Sequence, residues 1–330
     1  MPTFPQTIRS IDSADRLDNF VALVTLKPAL GSCVEVFNLD IRHAAAFSVP
    51  QLRAALLLLP NVQDLCLFLP SPVPPGLLAD IRFRTLDYFA TNIPHASLTT
   101  FLSGHSTLTS LILGSCGKSK SCPLSAVKFP DLMTLQCTIT CIDALPYSQV
   151  SRLTLELPEA GGCIPTVLRA MPTSFSVLAF TSLTLDFLPD DFDILDAIIQ
   201  AVPHVRKLKL IEKKKTTRRD NSGRRPWNDR LNWHRALRNL PVLEELCIVT
   251  LSSFITGEFG HEAEELRFVI WWAGACNRLG VAINPHPSLY HIMLRYGAHT
   301  QTTGALSHWY KMAGVWTRVL SVVGPADMEA

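Results

Sequence analysis

The sequence predicts an α/β fold: a curved solenoid, with short parallel strands on its concave face and helices on its convex face. Three observations carry this prediction. One apolar triplet recurs along the chain, segments with helical spacing lie between its copies, and proline stands just ahead of several copies. Composition agrees, since 48% of the 330 residues are hydrophobic, 18% are charged, and the mean hydropathy is +0.21. Forty-eight leucines broken by 23 prolines suit many short buried segments better than a few long helices.

The triplet is spaced as L-x-x-L-x-L, with other apolar residues replacing leucine. Residues 1–14 read as a short tail, and the first copy is Val34, Phe37 and Leu39. Val62, Leu65 and Leu67 follow, then Phe83, Leu86 and Tyr88, and then Leu108, Leu111 and Leu113. Leu132, Leu135 and Cys137 come next, followed by Val150, Leu153 and Leu155, and by Phe180, Leu183 and Leu185. The last copies are Val205, Leu208 and Leu210, then Leu243, Leu246 and Ile248, then Leu289, Ile292 and Leu294. From the copy at Val34 to the copy at Leu243, the mean separation of about 26 residues falls in the leucine-rich-repeat range. The last two positions of a triplet are one residue apart, so they face one side of a strand, while the first packs at the turn entering it.

Between the strands, residues 51–59, 194–202 and 233–240 carry apolar positions at helical spacing. Pro60, Pro130, Pro203 and Pro241 each lie two residues before a triplet, where proline stops the preceding helix and favours extended chain. One strand–helix unit cannot bury its apolar face, but a stack of them can. A conventional parallel α/β domain is the competing fold, yet no glycine-rich phosphate loop follows an early strand. Length alone suggests about two domains, whereas the repeat assigns 15–320 to one irregular leucine-rich-repeat domain. Its parts include a basic insertion at 212–230 and a C-terminal cap at about 262–320 holding Trp271, Trp272, Trp309 and Trp316, before a tail at 321–330.

These segments resemble leucine-rich-repeat proteins of the F-box type, of the fungal kind. Residues 14–20 through 26–30, followed by 34–39, are similar to that family's first helix and strand. So are the stretches 59–67 and 202–210, while 271–279 resembles its closing helix and Trp309 and Trp316 its last segment. The resemblance implies a family in which an F-box docks on the adaptor of a cullin-type ubiquitin ligase and the repeats hold a substrate. The box itself is not visible here, so that role requires one that is missing or outside this chain.

Thirty basic and 28 acidic residues give a net charge of +2, which excludes a wholly basic nucleic-acid coat. The start lacks the basic and apolar stretches of a secretory signal, and no apolar run approaches the roughly 20 residues of a membrane span. Nine irregularly spaced cysteines read as reduced thiols, so the expected location is intracellular, cytoplasmic or nuclear, without membrane attachment. Cys116, Cys122, Cys137 and Cys141 invite a zinc reading, but only Cys137 and Cys141 have the usual close spacing, and Cys137 occupies a leucine position. Histidines 286, 291, 299 and 308 form no His-Glu-x-x-His motif, and no nucleophile elbow, P-loop or dinucleotide fingerprint occurs. Neither a cofactor, a metal nor catalysis is therefore expected.

The expected function is non-catalytic protein–protein interaction through the concave strand face. Its candidate contact residues lie between or just after the inward positions: Cys66, Phe68, Asp87, Ile112, Gln136, Thr154, Glu156, Thr184, Asp186, Lys209 and Cys247. This mixed lining suits a protein partner, whose identity it does not specify, better than a nucleic-acid backbone. The alternatives are the ligase substrate receptor and, third, an enzyme with a spatially assembled site. Residues 213–225 form a basic run, in which Lys213, Lys214, Lys215, Arg218, Arg219, Arg224 and Arg225 are candidates for an anionic partner or nuclear import. Trp227 and Trp233 are expected to anchor its return. In the acidic stretch, Asp190 or Asp191 is expected to cap the helix that follows.

Overall fold

The inward triplet positions decide where the strands run. In the computed structural model of the chain, the described residues are 7–44, 47–116, 121–144, 149–158, 162–171, 180–214, 225–252, 254, 260–276, 282–296 and 305–322. The chain divides into two compact units, Met1–Val150 and Ser151–Ala330.

The first unit begins with β1 (Thr7–Ile11), so part of the expected tail is a strand. Helix α1 (Ala14–Leu26) follows, its first turn capped by the Ser13 hydroxyl, which accepts from the Arg16 N–H. Leu17, Phe20, Val21 and Val24 recur at helical spacing and form its buried stripe. After α2 (Pro28–Ser32) come β2 (Val34–Asp40), α3 (Val49–Leu57), β3 (Asp64–Phe68), β4 (Tyr88–Thr91), α4 (Thr99–Ser103), β5 (Ser110–Leu113) and β6 (Thr134–Thr138). These six strands pair in parallel and in sequence order. Register aligns Phe37, Leu65, Phe89, Leu111 and Leu135 in one fully buried row.

Strand β4 departs from the expected triplet of Phe83, Leu86 and Tyr88. Phe89 aligns with Leu65, and Thr91 with Leu67, so Leu86 takes the entry position. Thr91 can stand among leucines because its buried hydroxyl donates to the Leu67 carbonyl at 2.9 Å and accepts from the Ile93 N–H at 3.1 Å.

In the second unit, strands alternate more regularly with helices: β7 (Arg152–Glu156), α5 (Ile164–Ala170), β8 (Ser182–Phe187), α6 (Ile194–Ala201), β9 (Lys207–Glu212), α7 (Arg230–Arg238), β10 (Glu245–Thr250) and α8 (His261–Ala273). A small antiparallel pair, β11 (Gly274–Cys276) and β12 (Ala282–Pro285), precedes β13 (His291–Tyr296), β14 (Ala305–Met312) and β15 (Val315–Val322). Strand β13 still pairs in parallel with β10, but β14 and β15 are antiparallel. This end is held by Glu265, fully buried, which accepts from Tyr296 Oη, Ser307 Oγ, Trp309 Nε1 and Arg318. Of the four cap tryptophans, Trp272 and Trp309 are buried, while Trp271 and Trp316 are partly exposed.

The expected curved solenoid, with its concave strands and convex helices, is corrected by this arrangement. The thirteen main strands, six in the first unit and seven in the second, are mostly parallel with interspersed helices, and the sheet within each unit is not strongly curled. Curvature requires links wider than the strand spacing of roughly 4.8 Å, as full helices of about 10 Å are. In the first unit, however, the links after β3 to β6 are turns, 3₁₀ segments or one five-residue helix, and in the second the β14–β15 link has no helix. Among the described residues, no helix is long and apolar enough to cross a membrane.

Candidate functional site

Strand alternation leaves two distinct faces in each unit. The fully buried triplet positions face the linking segments, while the residues between them remain largely half-exposed. In the first unit, register aligns Asn38, Cys66, Ala90, Ile112 and Gln136 on that second face. Ala90, rather than Asp87, therefore takes the β4 position; Asp87 is exposed just before the strand. Phe68 lies at the end of β3 with the Arg42 guanidinium over its ring, 5.0 Å from the centroid.

In the second unit, the corresponding row is Thr154, Thr184, Lys209, Cys247, Met293 and His308. Thr184, Lys209 and Cys247 line a cavity of about 190 Å³ together with Lys207, Glu245, His291 and Met293. Lys207 Nζ lies 2.7 Å from Glu245 Oε1, and His291 stacks on Tyr310 at 4.4 Å. Burial opposes charge on His291 and lowers its pKa, although the Glu245 carboxylate favours the imidazolium. Burial also pushes the Cys247 thiol up to about 11, and that thiol donates to Met293 Sδ. Lys207, Glu245 and His291 were not among the candidates read from the sequence, although each directly precedes an inward position and alternation places it on this face.

Other candidates have local roles. Asp186 is buried and accepts from the Leu157 N–H at 3.0 Å, with Lys213 Nζ 3.4 Å from its other oxygen. Glu156 is half-buried at the end of β7. Arg225, grouped with the basic run, instead forms a buried ion pair with Glu212, Nε to Oε1 at 2.8 Å. Lys214 is exposed, while Lys215, Arg218, Arg219 and Arg224 lie outside the described residues. Trp227 and Trp233 are buried edge-to-face beyond the run. The expected cap on α6 is also revised: Asp193 is the N-cap residue and pairs with Arg169, while Asp191 accepts from the Leu188 N–H in the preceding turn.

The first unit also contains a side-chain cluster not assembled by the sequence reading. His95, Cys116, Cys122 and Cys141 are buried, and one ligand atom of each lies within 4.8 Å of the others. His95 follows β4, Cys116 follows β5, Cys122 precedes a 3₁₀ turn at Pro123–Ala126, and Cys141 lies in the turn after β6. The cluster thus sits beyond the carboxyl ends of three successive parallel strands. His95 Nε2 lies 3.1 Å from the Gly114 carbonyl, to which its N–H donates, so Nδ1 faces Cys122 Sγ at 3.2 Å and Cys141 Sγ at 3.6 Å. Gly114 permits this path because a Cβ there would stand 3.0 Å from Asn92 Cα. Burial pushes the Cys122 thiol up. Burial also opposes the Cys141 thiolate, while the Thr138 hydroxyl, 3.4 Å from its Sγ, can donate to it.

Cys137, the fourth cysteine weighed for zinc, is instead fully buried in the β6 core row. The available signal was positional rather than a compact motif. His95 lies four residues after Thr91, Cys116 three after Leu113, and Cys141 four after Cys137. Misplacing the β4 triplet hid that recurrence.

No protein-family model matches the chain, and no curated protein matches it. Among solved structures, it is similar to the leucine-rich repeat-containing protein LegL7 from Legionella pneumophila, with 17% identity over 86% of this chain and 87% of that one, at a TM-score of 0.44.

Proposed function

We propose that this chain is a non-catalytic interaction protein of leucine-rich-repeat type that binds a protein partner across the half-exposed sheet face. The observation supporting this reading is the register-aligned row of largely half-exposed side chains left between fully buried positions. Its chemistry favours protein: Ile112, Gln136, Thr154, Thr184, Lys209 and Met293 mix apolar, polar and charged groups, as a protein interface does. Lys207 is paired with Glu245, so its charge is already balanced by a carboxylate rather than free for a phosphate backbone. The 190 Å³ cavity is smaller than the roughly 300–1,000 Å³ typical of small-molecule pockets.

Affinity capture followed by mass spectrometry tests this proposal in wild type and in Ile112→Arg and Lys209→Glu variants. The expected result is a reproducible partner retained by wild type and depleted at least tenfold by one of these variants, with both variants folded as judged by circular dichroism. Identical partner sets from wild type and both folded variants would place recognition elsewhere. Cullin-ligase components among the face-dependent partners would favour the substrate-receptor alternative.

A further inference from the structure

We infer that His95, Cys116, Cys122 and Cys141 form a structural zinc site in the first unit. Four protein donors converge there, all buried and all within 4.8 Å of one another. Zinc takes sulfur ligands at roughly 2.3 Å and nitrogen at about 2.0–2.1 Å, which corresponds to ligand-to-ligand edges of roughly 3.5–3.8 Å in a tetrahedron. The His95 distances of 3.2 and 3.6 Å to Cys122 and Cys141 bracket the lower part of that range. Small side-chain adjustments therefore suffice to receive the ion.

The surroundings already meet the requirements beyond the ligands. The Gly114 carbonyl accepts from Nε2, orienting the Nδ1 lone pair toward the sulfurs, as an outer hydrogen bond does for a metal-bound histidine. Thr138 and Thr140 hydroxyls lie 3.4 and 3.7 Å from Cys141 Sγ, where they can donate to a coordinated thiolate. Three sulfurs and one imidazole select a thiophilic ion over magnesium or calcium. Four protein ligands leave no open position for substrate, so the site is closed and structural rather than catalytic. Its place in the fold gives it a mechanical role: it ties together the links that follow β4, β5 and β6. This assignment is independent of the sheet-face proposal.

The test is elemental analysis of the full chain purified anaerobically in reductant without chelator, followed by Co²⁺ titration of the metal-stripped protein. The expected results are about one zinc per chain and, with Co²⁺, the intense ligand-field and thiolate charge-transfer bands of tetrahedral sulfur coordination. Cys122→Ser and His95→Ala should each weaken Co²⁺ binding at least tenfold, while the exposed-cysteine variants Cys33→Ser and Cys163→Ser should retain the wild-type spectrum. Should the ligand variants fail to fold, the wild-type measurements decide. Wild-type protein without stoichiometric zinc and without the tetrahedral Co²⁺ spectrum would overturn the assignment, as would iron in place of zinc or a disulfide among these three cysteines.

Discussion

His105 and His286 are both held in the neutral form by their hydrogen bonds. His105 Nδ1–H donates to the Phe101 carbonyl at 2.7 Å, while Nε2 accepts from the Phe83 N–H at 3.0 Å. His286 reverses the roles: Nε2–H donates to the Leu237 carbonyl, while Nδ1 accepts from the Ser288 and Leu289 N–H groups. Protonation would turn either acceptor nitrogen into a donor facing backbone N–H. Burial is the main cause lowering both pKa values beneath the ordinary 6.5. The unfolded chain therefore binds these protons first as pH falls. Their stabilisation is complete above about 6.5, declines as pH drops below it, and levels off beneath the folded-state values. Urea titrations should give a lower midpoint at pH 5 than at pH 7.5, and His105→Gln should reduce that difference. An unchanged pH dependence in this variant would exclude His105 as a source.

At the scale of an element, β4 separates the two registers experimentally. Phe89 is fully buried and aligned with Leu65 and Leu111, whereas Tyr88 lies half-exposed on the other face. Phe89→Ala should therefore cost roughly 3–5 kcal/mol, and Tyr88→Ala about 1 kcal/mol or less, measured by chemical denaturation. The reverse order would restore the Phe83–Leu86–Tyr88 register. Apolar spacing made β3, β5, β8, β9 and β10 legible, because both inward residues of each are apolar. It failed at β4 because Thr91 satisfies its hydroxyl locally and so occupies a leucine position. The β14–β15 hairpin was also hidden within an expected irregular cap. Its turn at Ala313 and Gly314 has positive φ at both residues, but Ala-Gly is a weaker signal for that geometry than Asn-Gly. The histidine–cysteine cluster was harder still, since its members come from three different links and meet only after the strands pair. By contrast, the sheet-face row follows directly from alternation once register is known.

At the scale of the whole chain, the buried repeat positions in each unit are backed by a strand face that the linking segments leave uncovered. The first unit has short links and a candidate metal tie; the second has longer helices and ends in antiparallel strands around buried Glu265. Each unit retains a half-exposed strand face of mixed chemistry, and the central claim is that this face meets a protein partner. The most direct measurement is lysine cross-linking mass spectrometry on the captured complex. Lys207 and Lys209 lie on the sheet face, whereas Lys27 and Lys128 are exposed on linking segments of the first unit. The account predicts intermolecular cross-links from Lys207 or Lys209, lost when the captured partner is released. Cross-links confined to Lys27 and Lys128, with Lys207 and Lys209 equally reactive in free and bound protein, would contradict it.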